Sequence, residues 1–124
     1  MKNKPNLAEL EAEHLVISDY ERTLEKGAKV YLNEYGHLGI GAEIYQVELL
    51  NKTTSANWFN YRLKILGQIA CASGRPAPEG TIVQVIKHSS GERVGCASSW
   101  SLSDKPDKTL MDIIEAMERA QVPA

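Results

Sequence analysis

The feature that most constrains this chain is a run of strict alternation. From Trp58 to Cys71, Phe59, Tyr61, Leu63, Ile65, Ile69 and Cys71 fall on one side, and Asn60, Arg62, Lys64 and Gln68 on the other. A period of two marks a strand, because successive side chains point to opposite faces of a pleated ribbon. Gly67 interrupts the run and predicts a bulge or bend. The prolines and glycines of 73–80 forbid a continued ladder. Thr81–His88 follows with Ile82, Val83, Val85 and Ile86 on both faces, which predicts a central strand covered on both sides. Ser89–Glu92 is a turn, with Gly91 able to take positive φ. The return strand places Val94, Cys96, Ser98, Trp100 and Leu102 on one face. Residues 58–102 therefore predict an antiparallel meander around which the rest packs.

The rest divides into flanking elements. Residues 1–5 predict a loose tail. Asn6 and Glu9 can close a capping box, which predicts a helix from about Leu7 to Lys26 stopped by Gly27. Val30–Tyr35 and Ala42–Leu50 read as strands, joined by a glycine-rich bend and followed by the polar connection 51–57. Near the C-terminus Thr109 and Asp112 make a second capping box. Leu110, Ile113, Ile114 and Met117 then repeat at the spacing of an amphipathic helix, which ends before Pro123. The expectation is one α+β domain over residues 1–124. It has an antiparallel sheet of about five strands flanked by an N-terminal and a C-terminal helix, both on one face of the sheet.

Composition excludes more than it identifies. The formal net charge of −2 argues against general nucleic-acid binding. No apolar run approaches membrane-spanning length, and the first residues lack the apolar stretch of a signal peptide. A cytoplasmic protein with Cys71 and Cys96 reduced is expected. His14, His37 and His88 sit in different elements without metal-ligand spacing, so no metal site is predicted. The Gly-x-Gly at 39–41 lacks the dinucleotide-binding spacing and the Walker lysine, so no nucleotide cofactor is predicted either. Both cysteines fall on apolar faces, as core thiols do. No catalytic residue stands out from any motif.

Two groups of residues remain as candidates for a site. The apolar stripe of the N-terminal helix is broken by His14 and Glu21, with Tyr20 at its margin, and Trp100 faces the same core. The plainer reading is that His14 packs at the core edge and Glu21 reaches solvent along its stem. The sharper reading makes these four a candidate ligand pocket between helix and sheet. The second group is a mildly basic face formed by Arg62, Lys64, His88 and Arg93. Phe59 and Tyr61 fall opposite Arg62 and Lys64, which separates the aromatics from the cations that a single-strand platform needs together. The last helix carries Asp112, Glu115 and Glu118 and lacks the basic start that contact with double-stranded RNA phosphates requires. Leu50 and Leu66 fall away from the main core, so something must cover the second face. A two-fold homodimer is the simplest cover. The reading is a non-catalytic binding module, self-associating, for a small molecule or a protein. The alternatives are a small enzyme using His14 and Glu21 as acid and base, and a weak nucleic-acid binder using the basic face.

Overall fold

The computed structural model describes residue 9 and residues 12–36, 42–72, 76–92 and 99–121. The 1–5 tail and the return-strand residues Val94, Cys96 and Ser98 lie outside the described residues, as do Arg93 and His37. The elements run α1 (Asp19–Thr23), β1 (Lys29–Glu34), β2 (Glu43–Thr54), β3 (Trp58–Cys71), β4 (Ile82–His88), β5 (Trp100–Ser103) and α2 (Lys108–Gln121). The five strands form one sheet in the order β4-β3-β2-β1-β5, with every neighbouring pair antiparallel. The α+β class and the strand number are as expected.

The meander is displaced along the chain. It comprises β1 to β4, while β5 crosses the sheet to pair with β1 (Leu32 opposite Leu102) rather than returning beside β4. Among the described residues β4 is thus an edge strand, where a central one was expected. The turn that leaves it is as expected: Gly91 sits at φ +81°, and a Cβ there would meet Val16 Cγ2 at 2.9 Å.

β3 is bulged, and the bulges re-aim its second half. Ile44 opposes Ala70 and Tyr45 opposes Gln68, leaving Ile69 extra; Gln46 opposes Gly67 and Val47 opposes Ile65, leaving Leu66 extra. Directly paired residues share a face, so Gln68 lies on the side of Tyr45 and not with Arg62 and Lys64. Ile69, expected inside, is exposed at its bulge.

Two cores result, on opposite faces. Val30, Leu32, Tyr45, Val47, Leu49, Tyr61, Leu63, Ile65, Trp100 and Leu102 bury one side beneath Ile17 and Leu24. Tyr35, Ala42, Ile44, Ala70 and Ala72 bury the other beneath Leu110 and Ile114 of α2. Ile44 and Tyr45 are consecutive in β2, so they point to opposite faces and separate the two cores. The helices therefore do not share a face. Helix α2 starts two residues earlier than predicted: the Asp107 carboxylate, not Thr109, caps it and accepts Leu110 N–H at 3.1 Å.

The N-terminal helix is broken where a continuous one was expected. Ala12 and Glu13 are helical, residues 14–18 are not, and α1 restarts after Ser18. Ser18 Oγ accepts Glu21 N–H at 3.1 Å while a Glu21 carboxylate oxygen accepts Ser18 N–H at 2.9 Å, a reciprocal capping box.

Candidate functional site

The short helix α1 plugs the opening between the sheet's two edges, β4 and β5. Lys52 Nζ donates to the carbonyls of Arg22 and Leu24 at 2.6 and 2.7 Å and closes its C-terminal end. Tyr61 OH donates to the Glu21 carbonyl at 2.6 Å. The Glu21 side chain then reaches both edges. It accepts Lys87 Nζ of β4 at 2.9 and 3.2 Å and the Leu102 N–H of β5 at 2.7 Å. Trp100 makes a second tie, donating its indole N–H to the Ile86 carbonyl at 2.9 Å, and its ring lies 4.2 Å beneath the Lys87 ammonium.

Glu21 is 1% exposed and Lys87 3%. Glu21 does not reach solvent along its stem. It is a buried ion-paired carboxylate whose bonds are all to the protein. Burial holds the Lys87 amine below its ordinary value, against the pull of Glu21. The structure brings Glu21 and Trp100 together through Lys87, which the sequence reading did not select. Tyr20 points outward and is exposed.

His14 belongs to a different polar cluster, under the start of α2. Its ring stacks on Tyr35 with centroids 4.7 Å apart, and Nε2 lies 4.0 Å from Asp107 Oδ2. Burial lowers its pKa below the ordinary histidine value, outweighing the acidic neighbours Glu13 and Asp107. Burial thus favours the neutral ring. Asp107 Oδ2 accepts Tyr35 O–H at 2.7 Å, which leaves the Tyr35 oxygen to accept Ser101 Oγ–H at 2.8 Å. Asn33, fully buried, donates to Ser101 Oγ and Ser103 Oγ and accepts Asp107 N–H. The cluster locks α2 onto β1 and β5. His14 and Glu21 thus have separate partners and do not form a pair.

The basic face is present and carries an aromatic. Trp58, Arg62 and Lys64 of β3 oppose His88, Gln84 and Ile82 of β4, so all share one face. Trp58 is 40% exposed and meets the His88 ring edge-on at 4.6 Å. Arg62, Lys64 and Gln84 are exposed. The expected separation of aromatics from cations holds for Tyr61, which is buried, but not for Trp58. Period two alone places Trp58 with Arg62 and Lys64, so this signal was available in the sequence.

A further row has no counterpart in the expectations. Trp100, Glu34, Glu43 and Cys71 are register partners across β5, β1, β2 and β3, on the inner face at one end of the sheet. Tyr45 OH bonds Glu43 and accepts Ala77 N–H at 2.9 Å. Burial, with Glu43 beside it, pushes the Glu34 carboxyl up to about 7. A carboxyl raised this far holds its proton much closer to neutral pH than an ordinary glutamate, which suits proton transfer.

Among the described residues, no group of three or more His, Cys, Asp or Glu is placed to hold a metal ion. None of the described helices is long and apolar enough to cross a membrane. The architecture defines a class: an antiparallel α+β domain with a plugged, curled sheet and a second helix on its outer face. No protein-family model matches the chain, and no curated protein or solved structure matches it significantly.

Proposed function

We propose that the protein is a non-catalytic binding module that presents its β3–β4 face to an acidic protein segment. One observation carries this reading: an exposed tryptophan, Trp58, braced by His88 on the same face as Arg62 and Lys64. Tryptophan and arginine are the residues most enriched at binding hot spots, and cations beside them select acidic partners. The interior candidates speak for the same conclusion. Glu21 is consumed by Lys87 and two backbone amides, and His14 by its stack on Tyr35.

Trp58 is the natural probe, since the other tryptophan, Trp100, is buried. Titration with a short Asp/Glu-rich peptide is expected to change its emission, with saturation that weakens as salt rises. Arg62→Glu with Lys64→Glu is expected to abolish the response. No response to any acidic peptide would overturn the reading, and a response confined to a single-stranded oligonucleotide would replace it with nucleic-acid binding.

A second reading, a small acid–base enzyme, now rests on Glu34 and Glu43 rather than on His14 and Glu21. The protonated fraction of Glu34 near pH 7 favours it. Its test is retention or loss of a detected activity in Glu34→Gln.

A further inference from the structure

The face that carries Trp58 spaces its polar groups along one strand. Trp58, Arg62 and Lys64 fall on the same side of β3, and the register sets His88, Gln84 and Ile82 of β4 directly beside them. At about 3.4 Å per residue, the Trp58–His88 pair lies about 14 Å from Arg62, and Arg62 about 7 Å from Lys64. His88, Arg62 and Lys64 thus stand in a line. Asn60 and Ile86, both half-buried, fill the longer interval. On its other side Lys64 has Glu48 of β2, while Arg62 has the uncharged Asn51. Arg62 therefore presents the stronger charge to a partner.

His88 does more than brace Trp58. Ser90 N–H donates to its Nδ1 at 3.1 Å, and Ser90 Oγ lies 2.6 Å from the same nitrogen. A ring nitrogen that accepts a backbone amide carries no proton, so the neutral ring keeps its hydrogen on Nε2. Ser90 Oγ also accepts Glu92 N–H at 3.3 Å, which fixes the turn that holds the ring. Among the described residues the ring's hydrogen bonds are all made at Nδ1. Nε2–H is left as a donor beside an exposed indole, and its best acceptor is an anionic oxygen.

We propose that this face takes an extended acidic segment laid along β3, whose acidic side chains at positions i, i+4 and i+6 meet His88, Arg62 and Lys64 in turn. This rests on the acidic-segment reading of the same face and gives that segment a conformation and a spacing. An extended chain rises by the same amount per residue as β3, so those three positions match the three groups directly. Every interval is even, so the three acids leave the partner on one side. A helix covers a gap of about 14 Å in about nine residues, two and a half turns, which puts its two acids on opposite sides. The side chain at i+2 passes over Asn60 and Ile86, where a charge finds no opposite charge and a small or apolar group fits.

Two nine-residue peptides of equal composition, with blocked ends and a threonine background, separate spacing from charge. One carries Glu at positions 1, 5 and 7. The other carries Glu at 1, 4 and 9, where no two acids have the required separation, so only one of the three groups is met at a time. Trp58 emission follows both titrations. The first peptide is expected to bind about five-fold more tightly, as two additional exposed charge pairs imply. Equal affinities overturn the spacing and leave the acidic-segment reading standing. No response to the first peptide also overturns it, and no response to a longer Asp/Glu-rich peptide overturns the acidic-segment reading with it.

His88→Phe keeps a ring against Trp58 and removes the donor. It is expected to bind the first peptide no better than wild type binds the same peptide with Gln at position 1. It is expected to lose nothing further when it is given that Gln peptide, because the two changes delete one contact. If His88→Phe instead weakens the Gln peptide as much as the Glu peptide, His88 acts only through Trp58, and its place in the line is overturned. Arg62→Gln, at an exposed strand position, gives the same cycle against position 5. Additive losses there overturn the assignment of i+4 to Arg62. Circular dichroism checks that both variants keep the wild-type fold.

Discussion

Replacing Lys87 by Met tests whether the Glu21–Lys87 pair is what holds the sheet's two edges together. Methionine matches the length of the lysine stem and removes only the ammonium. At 2.9 Å, with the effective dielectric suited to such pairs, the lost attraction is about 6 kcal/mol before solvation. The desolvation cost of Glu21 does not return to water, because the carboxylate stays buried. It keeps two strong donors, Ser18 N–H at 2.9 Å and Leu102 N–H at 2.7 Å, which soften the loss. The cation over Trp100 contributes roughly 1 kcal/mol more. The expected net cost is about 3–5 kcal/mol, the range found when one partner of a buried pair is removed. Urea unfolding at pH 7, followed by tryptophan emission, measures it. Glu21→Gln in the same background removes the stranded charge, so the double variant is expected to cost at least about 1 kcal/mol less than the sum of the singles. A single-variant cost below about 1 kcal/mol, or strict additivity, would refute the view that the pair is buried and coupled.

Other outcomes follow from the remaining clusters. Glu34 has its carboxyl raised from 4.5 to about 7 in the fold, so its contribution is fully present below pH 4.5 and is lost as pH rises through 7. Glu34→Gln is therefore expected to match wild type near pH 4 and to exceed it by up to about 3 kcal/mol at pH 8, read from urea curves at both pH values. Equal stabilities at pH 8 would contradict the buried carboxylate pair. Asp107→Ala removes the cap of α2 and the acceptor of Tyr35, and is expected to cost about 2 kcal/mol with loss of helical circular dichroism. Trp58→Ala is expected to cost less than about 1 kcal/mol in thermal unfolding while abolishing capture of the acidic peptide by calorimetry.

The parts of the fold that were legible in the sequence are those set by local chemistry. The amphipathic spacing of Leu110, Ile113, Ile114 and Met117 identified α2, and alternation identified β3 up to Ile65. Beyond Ile65 the alternation misled, because two bulges shift the facing of Gln68 and Ile69 without leaving a mark other than Gly67. β4 looked central because both its faces are apolar, and only the strand order of the described residues shows it at an edge. The break before α1 was readable in Ser18 and Glu21, a capping box inside a run otherwise read as one helix. Glu21 stood out in the sequence as a polar residue on an apolar stripe, and it is buried. Its partner did not stand out, since Lys87 lies in a strand brought near only by the curl of the sheet. Glu34 and Glu43 were unreadable as a pair, because their opposition depends on the register of β1 on β2.

The crossing of β5 to the far side of β1 bears on how the chain is made. β2, β3 and β4 each pair with the strand just before them, so each hairpin can zip as it leaves the ribosome. β1 must wait for Ser101 and Leu102, some seventy residues on, before its second edge is covered. Until then Asn33, destined for full burial, has neither Ser101 nor Ser103 to bond. The nascent chain thus carries an open strand edge through most of its synthesis. That interval is the natural point for a chaperone to bind, and the one at which a truncated product would aggregate.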